Sequence, residues 1–440
     1  MNITGIIPLE QKAEYLRTLP AIRERCSRVH DLAKQGKLQY FDYHPEKEAD
    51  VADFCIEIMK RDYGSNFSSI EPHGRWRHLD TGVGRVLPEI AKWRIKEDSL
   101  DAREEIKRII DLFIVSVLLD AGAGNQWTYH EKSSGLKFTR SEGLGVASIH
   151  MFDRGFFSSD PDQPFRVDAA GLARITVEKV AEAMQVNESN PMVGLEGRTS
   201  LLTGLSSALI ASPQFFGKEG RPGNMIDFLE LQSKVNGNGK RVVPLAALWH
   251  VLIEGLDPIW PSRIQLAGKS LGDVWPCTVL SAPGQSEGDD LVAFHKLTSW
   301  LTYSIVEGLQ KVAKWEIEGL EDLTGLPEYR GLLVDLGVLI LKPDLLPIDS
   351  MSGLPKVQPS HPAIVEWRAM TVIELQVSHN DFGDRIADAI RTKLGLTSKQ
   401  LTLAQVLESA TWKGGREIAK KKRPETTSPP IEIESDGTVF

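Results

Sequence analysis

Apolar residues recur along most of the chain at the three- and four-residue spacing of one helical face. Residues 11–34 set Ala13, Leu16, Leu19 and Ile22 about one turn apart, and Pro20 predicts a kink or a restart there. Residues 44–61 place Val51, Phe54, Cys55, Ile58 and Met59 on one stripe. Residues 99–120 open on Ser99, an N-cap candidate, with acidic residues in the first turn that complement the helix dipole. Their apolar set, Ile106, Ile109, Ile110, Phe113, Val117 and Leu118, is broad enough for a buried helix. Further helices are predicted over 169–185, 197–211, 246–253, 291–309 and 361–376. The alternation of a half-buried strand is scarce; 331–340 and 240–243 are the best candidates. The fold class is therefore mostly α, with few short strands.

Two polar stretches, 212–240 and 281–290, read as loops. No tandem repeat and no strand–helix–strand rhythm is visible. Residues 1–419 read as one large helical domain or two intimately packed lobes. Residues 420–440 are polar and rich in proline, and read as a flexible tail. Within that tail, Lys420-Lys421-Lys422-Arg423 reads as a solvated helix end before it reads as a nuclear signal.

The 440 residues carry a formal net charge of -9, which disfavours a phosphate backbone as partner and leaves room for a small metabolite. Cys26, Cys55 and Cys277 form no paired motif and read as reduced thiols. The start of the chain lacks a basic stretch followed by a long apolar run. The apolar stretch 109–119 is shorter than a membrane span, which needs about 20 residues. Cytoplasmic location without a membrane is the expectation. No helical i, i+4 histidine pair, Walker segment or nucleophile elbow occurs, so neither metal nor cofactor is predicted. Gly122-Ala123-Gly124 has Trp127 where a third dinucleotide-loop glycine belongs, and Ser134–Lys137 has a Ser-x-x-Lys spacing without partner motifs.

Three constellations remain. Arg75, Trp76, Arg77, His78 and Asp80 make the densest basic-aromatic cluster, suited to a phosphate or carboxylate, or else to ion pairing around a packed tryptophan. Asp120 ends an apolar helix before Gly122 and Gly124. Trp127 and Tyr129 then stand as pocket walls or as core aromatics behind a helix cap. Lys413-Gly414-Gly415-Arg416 suits an anion site at a helix start, or an ordinary basic turn. Lys296, opening an apolar helix, and Glu328 complete the candidates; each alone is an ordinary surface charge.

Seven strings together resemble the uracil catabolism protein 4 family: GRWRHLD (74–80), LDAGAGNQW (119–127), SEGLGVASIHMF (141–152), FHKLTSWLTYS (294–304), VDLGVL (334–339), VEWRAMTV (365–372) and ATWKGGREIAK (410–420). That resemblance implies a pathway that dismantles uracil through a ring-opened, ribosylurea-type intermediate. Phe294-His295-Lys296, Glu328-Tyr329-Arg330 and Leu336-Gly337-Val338-Leu339 are more distantly similar to the C-terminal half of the queuosine salvage glycosylases. This second resemblance implies a helix-hairpin-helix glycosylase-like fold and cleavage of a ribosyl N–C bond by an acidic residue with a lysine nearby. The acid of that pattern is an aspartate; here the matching position is Glu328, one methylene longer, and the basic position is Lys296.

The implied reaction is hydrolysis of ribosylurea, or its 5′-phosphate, to urea and ribose. Glu328 would face the developing positive charge at C1′ and activate water, while Lys296 or another acid assists the urea. Trp127 and Tyr129 would pack on the substrate. Arg75 with Arg77 and His78, or Lys413 with Arg416, would hold a phosphate, with Asp120 lining the site. Competing readings are an amide or ureido hydrolase, which would release ammonia, and a non-catalytic ligand-binding protein of the same pathway. DNA glycosylase activity fits the acidic chain poorly.

Overall fold

The computed structural model describes residues 7–96, 101–120, 122–124, 126–260, 264–327, 331–375 and 385–434. Helices dominate, and the strands are two to four residues long. The chain divides into two compact units. One is built from Met1–His73, Ser262–Ser299 and Glu321–Glu434, the other from Gly74–Pro261, Trp300–Leu320 and Ser435–Phe440.

In the first unit, Pro20 restarts the chain: helix Leu9–Leu16 ends, and Thr18 caps helix Leu19–Lys34 by accepting from the Ala21 N–H at 3.4 Å. A proline in the first turn lacks only an N–H that has no helical partner anyway. Helix Glu48–Tyr63 matches the predicted stripe, burying Val51, Cys55, Ile58 and Met59. Helix Pro362–Glu374 packs against Leu19–Lys34 and is buried from Ala363 to Glu374. Its Glu366 carboxylate accepts the Gln39 and Tyr40 N–H groups at 2.8 and 2.9 Å, which satisfies a wholly buried charge. Strand Phe41–Tyr43 pairs antiparallel with Leu339–Leu341, Phe41 opposite Leu341. Strands Val274–Pro276 and Leu291–Ala293 form a second antiparallel pair.

In the second unit, helix Ala102–Leu118 is the core element, buried without a break from Arg108 through Leu118. Its N-cap is Asp101, whose carboxylate accepts the Glu104 N–H at 2.8 Å; Ser99, predicted for that role, lies outside the described residues. Buried Asp111 is paired with Arg221 at 2.8 Å and the Gly223 N–H at 2.7 Å. Helices Arg140–Asp153, Leu195–Ala211 and Leu245–Gly255 complete the unit's helical core.

Several sequence expectations are corrected. The segment 331–340 is not one strand: Gly331 and Gly337 take left-handed backbone at φ 84° and 83°, and helix Leu332–Asp335 lies between them. The predicted helix 291–309 starts as strand Leu291–Ala293 and becomes helix only over Lys296–Lys311. The stretch 169–185 breaks into helices Ala169–Leu172 and Val177–Ala183. The loop 212–240 holds helices Pro213–Phe216 and Met225–Gln232. Residues 420–434 are not a loose tail. Helix Lys413–Lys422 ends there, Arg423 pairs with Asp335 at 2.8 Å, Ile431 is fully buried, and strand Glu432–Ile433 runs parallel to Lys356–Val357.

Candidate functional site

Within the first unit, the helix that begins at Lys296 is held by one buried carboxylate. The Asp273 Oδ2 accepts the Lys296 N–H at 2.9 Å, and the Asp273 carbonyl accepts the Phe294 and His295 N–H groups at 3.0 and 3.3 Å. The chain reaches this arrangement through His295, which takes left-handed backbone at φ 47° and binds the Leu16 carbonyl through Nε2 at 2.8 Å. Arg368 closes on Asp273 with two bonds of 2.8 and 2.7 Å, and its guanidinium lies 4.0 Å from the Phe294 ring centroid. Burial alone would raise the Asp273 pKa; the Arg368 charge and its hydrogen bonds instead hold it well below the usual carboxylate range. Lys296, half-buried, therefore starts from a fixed backbone position.

On the same helix, the neighbour of Arg368 faces a hollow. Gly331, Leu332, Leu333, Trp367, Thr371, Leu375 and Thr411 line a shallow recess whose enclosed space is about 20 Å³, room for about one water; the roughly 320 Å³ around it includes open solvent. Trp367 is 1% exposed, so almost none of its ring is open to the recess. Thr371 donates its hydroxyl to the Trp367 carbonyl at 2.8 Å, which leaves oxygen lone pairs to accept from a ligand. Thr411 is carried by the π-helical turn Leu407–Trp412, whose extra residue per turn shifts the side chains that follow. The wall at Gly331 follows directly on Glu328-Tyr329-Arg330. Glu328 itself lies outside the described residues.

Lys413 and Arg416 lie in the same unit but are engaged elsewhere. Lys413 pairs with Asp62, and Arg416 lies 4.2 Å over the Trp412 ring. Gly414 and Gly415 sit inside continuous helical backbone rather than at a helix start, so the expected N-terminal anion cradle does not form. Gly414 instead admits close packing: an added Cβ would lie 3.3 Å from Leu332 and 3.5 Å from Phe54.

The other candidates meet in the second unit. Arg75 is wholly buried, donating to Ser116 Oγ at 2.7 Å and pairing with Asp120 at 2.9 Å. Burial lowers its pKa, opposed by Asp120. Ser116 and Ser148 share a 2.6 Å hydrogen bond, and the Arg75 N–H reaches Ser304 Oγ at 3.0 Å. Arg77 contacts His78 Nε2 at 3.0 Å, and His78 meets Trp300 edge-on. Asp80 accepts from the Trp76 indole at 2.8 Å and from the Val86 N–H at 2.8 Å, while Arg85 takes Glu131. Trp127 is 1% exposed and donates to the Met184 carbonyl at 2.9 Å; Tyr129 stacks on His150. These two are core aromatics here, and Arg75 is a paired internal charge. The structure thus pairs Arg75 with Asp120, sets His78 against Arg77 and Trp300 in the same unit, and leaves Lys296 in the other unit.

Asp273, Trp367, Arg368 and Thr371 escaped the sequence reading as site residues. The last three lie in the string VEWRAMTV, which was visible as a unit without roles for its members. Among the described residues, no group of three or more His, Cys, Asp or Glu side chains is placed to hold a metal ion, and no helix is long and apolar enough to cross a membrane.

Residues 15–440 match the family described as a protein of unknown function, DUF1688. Uracil catabolism protein 4 of Lachancea kluyveri is 40% identical, covering 98% of this chain and 100% of its own length. Protein urg3 of Schizosaccharomyces pombe is 39% identical, covering 97% and 98%. With the match spanning nearly the whole chain and both relatives aligned end to end, this protein belongs to the DUF1688 family, the family of uracil catabolism protein 4.

Proposed function

We propose that the protein acts in uracil catabolism and hydrolyses the N-glycosidic bond of a ribosylurea-type intermediate, free or 5′-phosphorylated. One observation carries the reading. The hollow walled by Trp367, Thr371 and Thr411 begins at Gly331, the residue after the Glu328-Tyr329-Arg330 triplet. The name of the Lachancea relative supplies the pathway.

Breaking the C1′–N bond builds positive charge on the sugar. Glu328 meets that charge with its carboxylate and takes a proton from the attacking water. The Thr371 and Thr411 oxygens accept from the sugar hydroxyls. Lys296 keeps Glu328 ionised by opposite charge. Arg75 pairs with Asp120 and Lys413 with Asp62, so a 5′-phosphate would have to compete with those carboxylates.

The test is direct. Purified protein is incubated with ribosylurea and with its 5′-phosphate, and urea, ribose and ammonia are assayed. Urea with ribose, or with ribose 5-phosphate, is the expected product set. Ammonia in place of urea identifies an amide hydrolase, and binding without turnover identifies a ligand carrier. Glu328→Gln should lower kcat by about 10²–10⁴; a rate near wild type removes the assignment.

A further inference from the structure

A urea nitrogen leaves a sugar poorly unless it is protonated as the bond breaks. Glu328, which must be ionised to face the cation, cannot supply that proton. The first unit holds a group of side chains that can, one of them on the helix that walls the hollow.

Four residues from four elements meet there. Glu374 ends helix Pro362–Glu374, three residues after Thr371 and next to Leu375, both of which line the hollow. Its Oε1 lies 3.2 Å from His30 Nε2 on helix Leu19–Lys34. His30 Nε2 lies 3.1 Å from the hydroxyl of Tyr43, on strand Phe41–Tyr43. Tyr43 donates that hydroxyl to Glu48 Oε1 at 2.5 Å, at the start of helix Glu48–Tyr63. Glu374 is wholly buried, and its carboxylate is met by His30, Tyr43 and Glu48. A buried carboxylate held beside a second one is costly unless one of the two is neutralised.

We propose that Glu48 and Glu374, bridged by Tyr43 and His30, are the proton source of the hydrolytic site: a carboxyl pair holding one proton between them for the departing urea. The inference rests on the hydrolase reading above. Two carboxylates in contact do not both ionise at neutral pH. In keeping with this, burial first and the Glu374 charge second push Glu48 up to about 8, opposed by Tyr43 and by the positive charge of Arg385. Burial, then Glu374 and Glu48, likewise raises Tyr43, so the phenol stays a donor across the working range.

The step balances without a further reactant. The C1′–N bond breaks with its electron pair going to the urea nitrogen. That nitrogen takes the shared proton and leaves as neutral urea. Water adds its oxygen to C1′ and gives its proton to the base carboxylate, from which the pair is recharged through solvent. Enzyme and charge return to the starting state.

The experiment uses the full-length protein with two substrates: ribosylurea, and an aryl riboside whose leaving group departs without a proton. In the wild type, kcat on ribosylurea should fall as the pH rises past about 8 and stay flat on the aryl riboside. Glu374→Gln should lose about 10²–10⁴ of kcat on ribosylurea with little change in KM, and keep most of its rate on the aryl riboside. A merely structural cluster would damage both substrates alike, and that result overturns the proposal. So does a wild-type kcat on ribosylurea that is flat through pH 9. Should the variant fail to fold, carboxyl titration in wild-type protein carrying ¹³C-labelled glutamate decides the matter. One buried glutamate titrating near neutrality supports the pair, and none does not. Absence of wild-type turnover on both substrates defeats the hydrolase reading and this one with it; turnover with a flat profile defeats this one alone.

Discussion

Arg368 is the residue on which the first unit's polar core turns. It is 1% exposed, and its two bonds to Asp273 fix the carboxylate that in turn fixes the Lys296 backbone. Replacing it by leucine strands a buried negative charge, which costs about 3–5 kcal/mol. Urea denaturation of Arg368→Leu should show a loss of that size; a loss under about 1 kcal/mol would mean that Asp273 finds other support. Glu48 gives a second residue-scale prediction. A carboxyl raised from its ordinary value to about 8 binds its proton more tightly in the folded chain. Between the two values the folded state holds more protons, so stability present at about pH 4 is lost as pH rises toward 8. The thermal midpoint of wild type minus that of Glu48→Gln should therefore fall across that window; a constant difference removes the shift. Lys296 and Glu328 were candidates in the sequence because motif strings contain them. Asp273 was not, since its partner lies 95 residues away and nothing local marks it.

Glycine spacing decides the elements around the hollow. Gly331 sits at φ 84°, and a Cβ there would stand 2.1 Å from Pro430 Cδ. The left-handed backbone alone costs an L-residue about 1–2 kcal/mol, and the overlap adds to that. Gly331→Ala should lower the thermal midpoint and raise KM together, because the hollow begins at this residue; an unchanged KM would separate the hollow from the substrate. The same glycine explains a misread. Alternation over 331–340 predicts a strand, but φ above zero at Gly331 and Gly337 turns the chain and leaves a short helix between them. Long stripes such as 44–61 were read correctly because one face of the helix carries the burial. Helix Arg140–Asp153 went unread because its glycines belong to tertiary contacts: a Cβ at Gly143 would meet the Phe138 carbonyl at 2.8 Å, and one at Gly145 the His78 carbonyl at 2.9 Å. Only the folded partner makes sense of such a position.

At the scale of the molecule, hydrophobic patterning carried the helical class and left open one domain or two packed lobes, without saying where the chain would divide. Each unit draws on separated segments, and composition does not change at the crossings after His73, Pro261, Ser299 and Leu320. Formal charge sets one whole-chain expectation. At -9, long-range attraction for a dianionic substrate is absent, and a neutral substrate feels no field. The KM for ribosylurea should stay within about twofold as salt rises and the screening length shrinks from ~30 Å to ~3 Å. Steep weakening with salt would instead reveal a cationic clamp and favour the 5′-phosphate.

The final stretch of chain has a consequence for any shortened form of this protein. Pro430 presses on Gly331, Arg423 grips Asp335, and the Glu432 and Glu434 N–H groups bond to Pro355 and Val357 at 2.8 and 3.1 Å. A stop codon after Ser428 would spare every lining side chain of the hollow yet cut away the brace behind its glycine. Such a truncation should behave like an active-site lesion, although none of the described residues it removes lines the recess.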